Sequence, residues 1–251
     1  MKRATPAALS LSALTLLSLV ALTACGGDSG SGSDADAAGK PSATEARERQ
    51  LTPEERLKRL VITEADVNGM KVSDADVATS DNSDFAFAKS PREVTVEKPV
   101  CAPLAHAMNQ LPLGEPQADL TRSVSSSLDE PFTYVMLTAY ESGKAASALA
   151  GLSEAVDACT GGFTAETNGN TSAYDSVTAE KPVATAGDES LAFRSTQSFR
   201  GATHTVHTQA VLRGDVVAVY FSVDGMAMAN GRPSDAKLSA AVVEAQNAKL
   251  G

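Results

Sequence analysis

Residues 189–223 read ESLAFRSTQSFRGATHTVHTQAVLRGDVVAVYFSV. Leu191, Phe193, Ser195 and Phe199 alternate with Arg194, Thr196 and Ser198. His204, Val206, Ala210 and Leu212 alternate with His207, Gln209 and Arg213, and Val217, Val219, Phe221 and Val223 repeat the period. A period of two is that of a strand with one face turned to a core. Gly214-Asp215 lies between two such runs and predicts a tight hairpin. The stretch therefore predicts an antiparallel meander.

Working outward, Phe132 to Tyr140 predicts a strand apolar on both faces, with Phe132, Tyr134, Met136 and Tyr140 on one and Val135, Leu137 and Ala139 on the other. Such a strand belongs in the middle of a sheet. In Lys144 to Cys159, Ala145, Leu149, Leu152, Val156 and Cys159 step by four, three, four and three, the stripe of an amphipathic helix, with Gly161-Gly162 as its stop. Residues 120–128 predict an exposed strand, and Val94–Val96 a short extended piece. Pro99 to Gln110 predicts a brief helix, and Thr52-Pro53-Glu54-Glu55 a capped helix start. A further start follows at Thr63, and a last helix opens at Pro233 or Ser234. The expectation is one α+β domain over 51–251: an antiparallel sheet of about five strands with helices on at least one face.

The first residues read as an address. Lys2 and Arg3 precede an apolar run, Ala7 to Ala24, that holds no charge. A charged start and a short apolar region are the layout of a secretory signal. The run is also interrupted by Ser10, Ser12, Thr15, Ser18 and Thr23, which weakens it as a membrane span. It ends Leu22-Thr23-Ala24-Cys25-Gly26, which resembles the bacterial lipobox. That resemblance implies removal of residues 1–24 and acylation of the Cys25 thiol. Two or more acyl chains give stable anchoring where one is marginal. From Gly26 to Gln50 no apolar residue larger than Ala occurs. Residues 25–50 thus read as lipidated cysteine plus flexible tether, with a reach of roughly 25–30 Å.

Composition narrows the function. The 251 residues carry 21 Lys+Arg against 31 Asp+Glu, a net charge of −10, which argues against nucleic acid as a partner. No Trp and 4% aromatics argue against stacking platforms. If Cys25 is acylated, Cys101 and Cys159 remain, either as a disulfide or as two buried thiols. An extracytoplasmic setting favours the disulfide. No structural-metal spacing, phosphate loop, Gly-x-Gly-x-x-Gly or His-Glu-x-x-His is present, so no metal and no cofactor is expected. His204 and His207 on a strand point to opposite faces, one partly buried and one exposed. Ser234-x-x-Lys237 and Ser80-Asp81-Asn82 occur in the wrong order for a penicillin-recognising enzyme, and Lys-Thr-Gly is missing. Ser234 reads as a helix cap. Asp74, Asp76, Asp81 and Asp84 lack the loop spacing of a calcium site and read as solvated charges.

The lipobox, the tether, Cys101, the 135–140 strand, the Ala-rich helix ending at Cys159 and the Gly187-Asp188-Glu189 turn together resemble actinobacterial lipoproteins of the PknH-type extracellular sensor-domain family. The resemblance covers about 95–225 and rests on the order of elements and two cysteines. It implies an antiparallel sheet flanked by helices, a cleft, and binding of an extracytoplasmic ligand. Sensor domains of that type carry two disulfides, and this chain can form one. The expected function is a non-enzymatic, ligand-binding or sensor-like lipoprotein held on the extracytoplasmic face of the cell membrane by its lipid. A lipid or glycolipid carrier with an apolar cavity and an envelope assembly partner are the alternatives. The expected partners are the membrane and a small ligand or an envelope protein. Tyr134, Arg194, His204 and Tyr220, polar tips on sheet strands, are the candidate ligand-binding residues.

Overall fold

The computed structural model describes residues 51–75, 88–167 and 169–251, all within one compact unit, Arg49–Gly251. The signal sequence, Cys25, the tether, Asp76, Asp81 and Asp84 lie outside the described residues.

Among the described residues, ten strands and five α-helices follow one another. They are α1 (Pro53–Leu60), β1 (Lys71–Asp74), β2 (Val94–Val96), α2 (Ala102–Ala107), β3 (Ala118–Ser125), β4 (Phe132–Ala139), α3 (Lys144–Ala158), β5 (Phe163–Thr167), β6 (Asn170–Glu180), β7 (Glu189–Phe199), β8 (Ala202–Arg213), β9 (Val216–Val223), α4 (Gly225–Ala229), β10 (Ser234–Ala236) and α5 (Ala240–Leu250). All ten strands join one sheet, in the order β1-β3-β4-β9-β8-β7-β6-β5-β2, with β10 beside β8. Every pairing is antiparallel except β10 with β8. The α+β expectation holds, but the sheet has ten strands rather than about five.

The longest strand the sequence did not predict, β6, has little to bury. Along β6 only Tyr174 and Val177 are fully enclosed, so its alternation is diluted by Ser, Thr and Asn on an open face. β3 is not an exposed strand but lies between β1 and β4, with Val124 and Ser125 buried.

β4 and β9 are apolar on both faces because helices cover both. On one face α2 and α3 pack Leu104, Leu149, Leu152 and Val156 against Met136, Val219, Phe221, Ala210 and Phe193. There the expected Cys101–Cys159 disulfide is formed, with a Cα–Cα distance of 6.0 Å, tying the entry of α2 to the exit of α3. On the other face Leu57, Val242 and Val243 from α1 and α5 pack on Val135, Leu137, Val211, Ala218 and Tyr220. The division of β4 into two apolar faces is the one its alternation predicts.

The ends of elements follow local chemistry. Thr52 accepts from the Glu55 amide at 3.2 Å and the Glu55 carboxylate accepts from the Thr52 amide at 3.0 Å, completing the expected capping box. Gln246 of α5 is fully buried. Its carbonyl accepts from Ile62 N at 2.8 Å and its amide donates to Leu60 O at 2.9 Å, so it satisfies the chain leaving α1. Gly187 has φ 67°, and a Cβ there would lie 2.2 Å from the Leu212 carbonyl oxygen. Only glycine lets the turn into β7 approach β8 so closely.

The last helix begins at Ala240, not at Pro233 or Ser234. Residues 234–236 form β10 instead. β9 stays beside β8 only as far as the Thr208–Phe221 pair, while Ser234–Ala236 pair with His204–Val206. The exposed edge left where β9 departs captures a three-residue strand that has no apolar pattern of its own. Ser234 is therefore a strand residue, not a helix cap.

Candidate functional site

The seam where β9 gives way to β10 falls at His207, between Val206, the last residue paired with β10, and Thr208, the last paired with β9. A cleft of about 310 Å³ opens there. Glu180 and Lys181 at the end of β6, Val183, Ala192 of β7, His207 and Thr208, and Lys237 and Leu238 after β10 line it. Fully buried Gln209 holds the Val183 wall in place. Its carbonyl accepts from Val183 N at 2.8 Å and its amide donates to Ala184 O at 2.7 Å, fastening that segment over the sheet.

At the cleft floor the His207 side chain is only 7% exposed. Its Nδ1 is 2.7 Å from Glu180 Oε2, and its Nε2 is 2.7 Å from Asp235 Oδ1. Lys237 Nζ lies 2.9 Å from the same Nε2 and 3.0 Å from Asp235 Oδ1. Arg194, directly opposite His207 in the β7–β8 register, donates to Glu180 Oε1 at 3.3 Å. Hydrogen bonds from His207, then from Lys237, hold the Asp235 carboxyl below its ordinary range, so it stays ionised.

The two carboxylates occupy opposite nitrogens of one imidazole and cannot converge with it on a single ion. Among the described residues, no three or more His, Cys, Asp or Glu side chains are placed to hold one metal ion. His204 Nδ1 pairs with Ser234 Oγ at 2.9 Å, but no hydrogen-bond partner meets its Nε2, so this serine–histidine contact is not extended by a carboxylate. What the cluster offers is charge-assisted hydrogen bonding next to the apolar side chains of Val183 and Leu238.

The four residues favoured by sequence do not assemble. None of them lines the cleft; Arg194 alone reaches its cluster, through the ion pair with Glu180. Tyr134 stacks on Phe221, with centroids 4.8 Å apart, on the disulfide face, and burial raises its hydroxyl pKa. His204 points to that same face, buried against Ser234 and edge-on to Phe199. Tyr220 is sealed in the opposite core, where it donates to Asn247 Oδ1 at 2.7 Å and burial pushes its pKa up. The two histidines do face opposite ways, but His207 is buried rather than exposed, because Glu180, Asp235 and Lys237 close over it. Glu180, His207, Asp235 and Lys237 escaped the sequence reading as a set. Their one signal was a histidine on a strand alternation with a charged residue at the end of a neighbouring strand.

No family model matches the chain and no curated protein matches it. Among solved structures, the extracellular domain of PknH from Mycobacterium tuberculosis is similar, with a TM-score of 0.48 and 13% identity, covering 80% of this chain and 95% of that chain. No residue of this chain takes a role from that likeness.

Proposed function

We infer that the chain is an extracytoplasmic lipoprotein, anchored through Cys25, whose domain is a non-enzymatic, sensor-like ligand-binding module with the His207 cleft as its site. The observation that carries the binding role is a nearly buried imidazole, bonded at both nitrogens, on the floor of an open cleft with an apolar wall. Small-molecule sites combine a mostly apolar lining with a few placed polar groups, in volumes of about 300–1,000 Å³. This cleft lies at the small end of that range, which favours a small ligand over the lipid carrier. The lipobox and the disulfide, which persists in oxidising compartments, support the location.

Native mass spectrometry of the chain produced in an actinobacterial host tests the binding role. A noncovalent mass should accompany the parent and be lost in Lys237→Ala. A bare chain that also shows no saturable response to a small-molecule envelope extract refutes it. For the anchor, Cys25→Ser should release the protein into the medium, and retention in the membrane would rule it out.

A further inference from the structure

Resting on that reading of the cleft, we propose that its ligand is a small organic anion, a carboxylate with a short apolar body, and that His207 links its capture to proton uptake by handing over Lys237. The charged groups around the ring are Glu180 on β6, Arg194 on β7, Asp235 on β10, and Lys237 just beyond it, with Lys181 on the wall. Both carboxylates are occupied: Glu180 by His207 and Arg194, Asp235 by His207 and Lys237. The capacity left for a ligand is therefore cationic, from Lys181 and Lys237, beside the apolar Val183 and Leu238.

The proton link comes from the crowding at Nε2. One ring nitrogen cannot both donate to Asp235 and accept from Lys237, yet it lies within hydrogen-bond distance of each. Nδ1 faces only a carboxylate, so it carries a proton in either state. With a neutral ring, Nε2 accepts from Lys237, so two of the three ammonium donors are taken, by Nε2 and by Asp235. With a protonated ring, Nε2–H donates to Asp235 Oδ1, and the ammonium 2.9 Å away is repelled. Lys237 then keeps Asp235 Oδ2, at 2.9 Å, and turns its freed donors to the cleft mouth, where its side chain is 64% exposed. Protonation both frees a donor and adds a positive charge, so the anion binds more tightly in acid and carries a proton in with it.

Two measurements on the intact chain test this. Long-range proton–nitrogen spectra of the His207 ring should show the Nδ1–H tautomer on the basic side and both N–H groups on the acidic side. Lys237→Met should move the basic-side Nε2 resonance. An Nε2–H tautomer in base, or an Nε2 resonance indifferent to Lys237→Met, overturns the hand-over. The second is a hexanoate titration followed at the cleft amides, with hexanol as the uncharged control. Hexanoate should bind about tenfold more tightly at about pH 5.5 than at about pH 8, within the usual scale of site–site coupling. His207→Gln should flatten that profile toward the basic-side affinity. Equal affinity at both pH values overturns the proton link but leaves the cleft as a binding site. No saturable cleft response to hexanoate at either pH overturns the anion assignment. A cleft that also carries no copurified mass overturns the binding role itself.

Discussion

Removal of the Cys101–Cys159 bridge is the perturbation whose size the structure sets most directly. The two cysteines are 58 residues apart and fully buried, and the bridge fastens α2 to α3 over the sheet face that carries Met136, Val219 and Phe221. In the chain-entropy picture, freeing a loop of that length returns roughly 14 cal/mol/K to the unfolded chain, or about 4 kcal/mol at room temperature. For a domain of this size each kcal/mol moves the melting temperature by about 2–4 °C, so the expected drop is roughly 8–16 °C. The assay is differential scanning calorimetry of Cys101→Ala/Cys159→Ala against its parent, both with Cys25→Ser so that only one thiol pair differs. Alanine is chosen because serine would bury a hydroxyl in an apolar cluster and add a cost unrelated to the cross-link. Reducing the parent should reproduce the shift, and its intact mass should rise by about two daltons, the two hydrogens gained on reduction. If the double variant melts within about 3 °C of the parent, the bridge does not constrain the unfolded chain and the entropic argument fails.

Three further outcomes follow from single contacts. Gln246→Leu leaves Ile62 N–H and Leu60 C=O without their partner in a buried place, and should lower stability by about 2–4 kcal/mol in urea unfolding; a loss below about 0.5 kcal/mol would show that water replaces the amide. Asp235 has its carboxyl pKa lowered from 3.8, so its contribution is complete above the unfolded value and fades as pH falls through the folded one. Asp235→Asn should therefore weaken the chain at neutral pH and make it less sensitive to acid below about pH 4, read by acid titration of near-ultraviolet circular dichroism. His207→Leu should change stability by no more than about 1 kcal/mol, because Glu180 keeps Arg194 and Asp235 keeps Lys237 in partly solvated pairs. A loss of about 3 kcal/mol or more would make the histidine a structural keystone and count against the cleft as a binding surface.

The parts legible in the sequence are those where one residue pattern meets one environment. β4 alternates between two apolar sets because α3 covers one face and α1 with α5 the other. The stripe from Ala145 to Cys159 is legible because all five of its residues are buried. β6 was illegible because a strand with one solvated face and two enclosed side chains resembles a polar loop. β10 was illegible for a different reason: Ser234-Asp235-Ala236 is a strand only because β9 leaves an edge of β8 unpaired. The site inherits that difficulty. Glu180, His207 and Asp235 belong to three strands, and nothing local sets the parallel register that places Asp235 opposite Thr205. Tyr220 looked like a ligand residue because its hydroxyl interrupts an apolar strand, but its partner Asn247 comes from the far end of the chain.

The composition of the seam argues that it is kept open for a purpose beyond packing. Position 207 lies on the face of β8 that carries Val211, and an apolar side chain there would pack beneath Leu238 and Val183 without needing any of the surrounding charges. Paired charges at a partly dry site rarely outperform such packing, because desolvation offsets the attraction. Elsewhere, ion pairs such as Arg56–Asp215 at 2.8 Å and Arg213–Asp188 at 3.4 Å join partly exposed side chains, so water carries much of their charge. Among the described residues, it is at the seam that Glu180, Arg194, Asp235 and Lys237 gather around a side chain that is nearly enclosed, with an open cavity beside it. Stability does not call for that arrangement. A site that must hold an anion and release it with a change of proton occupancy does, since it needs a cation whose hydrogen bonds can be exchanged, and Lys237 between Nε2 and Asp235 is such a cation.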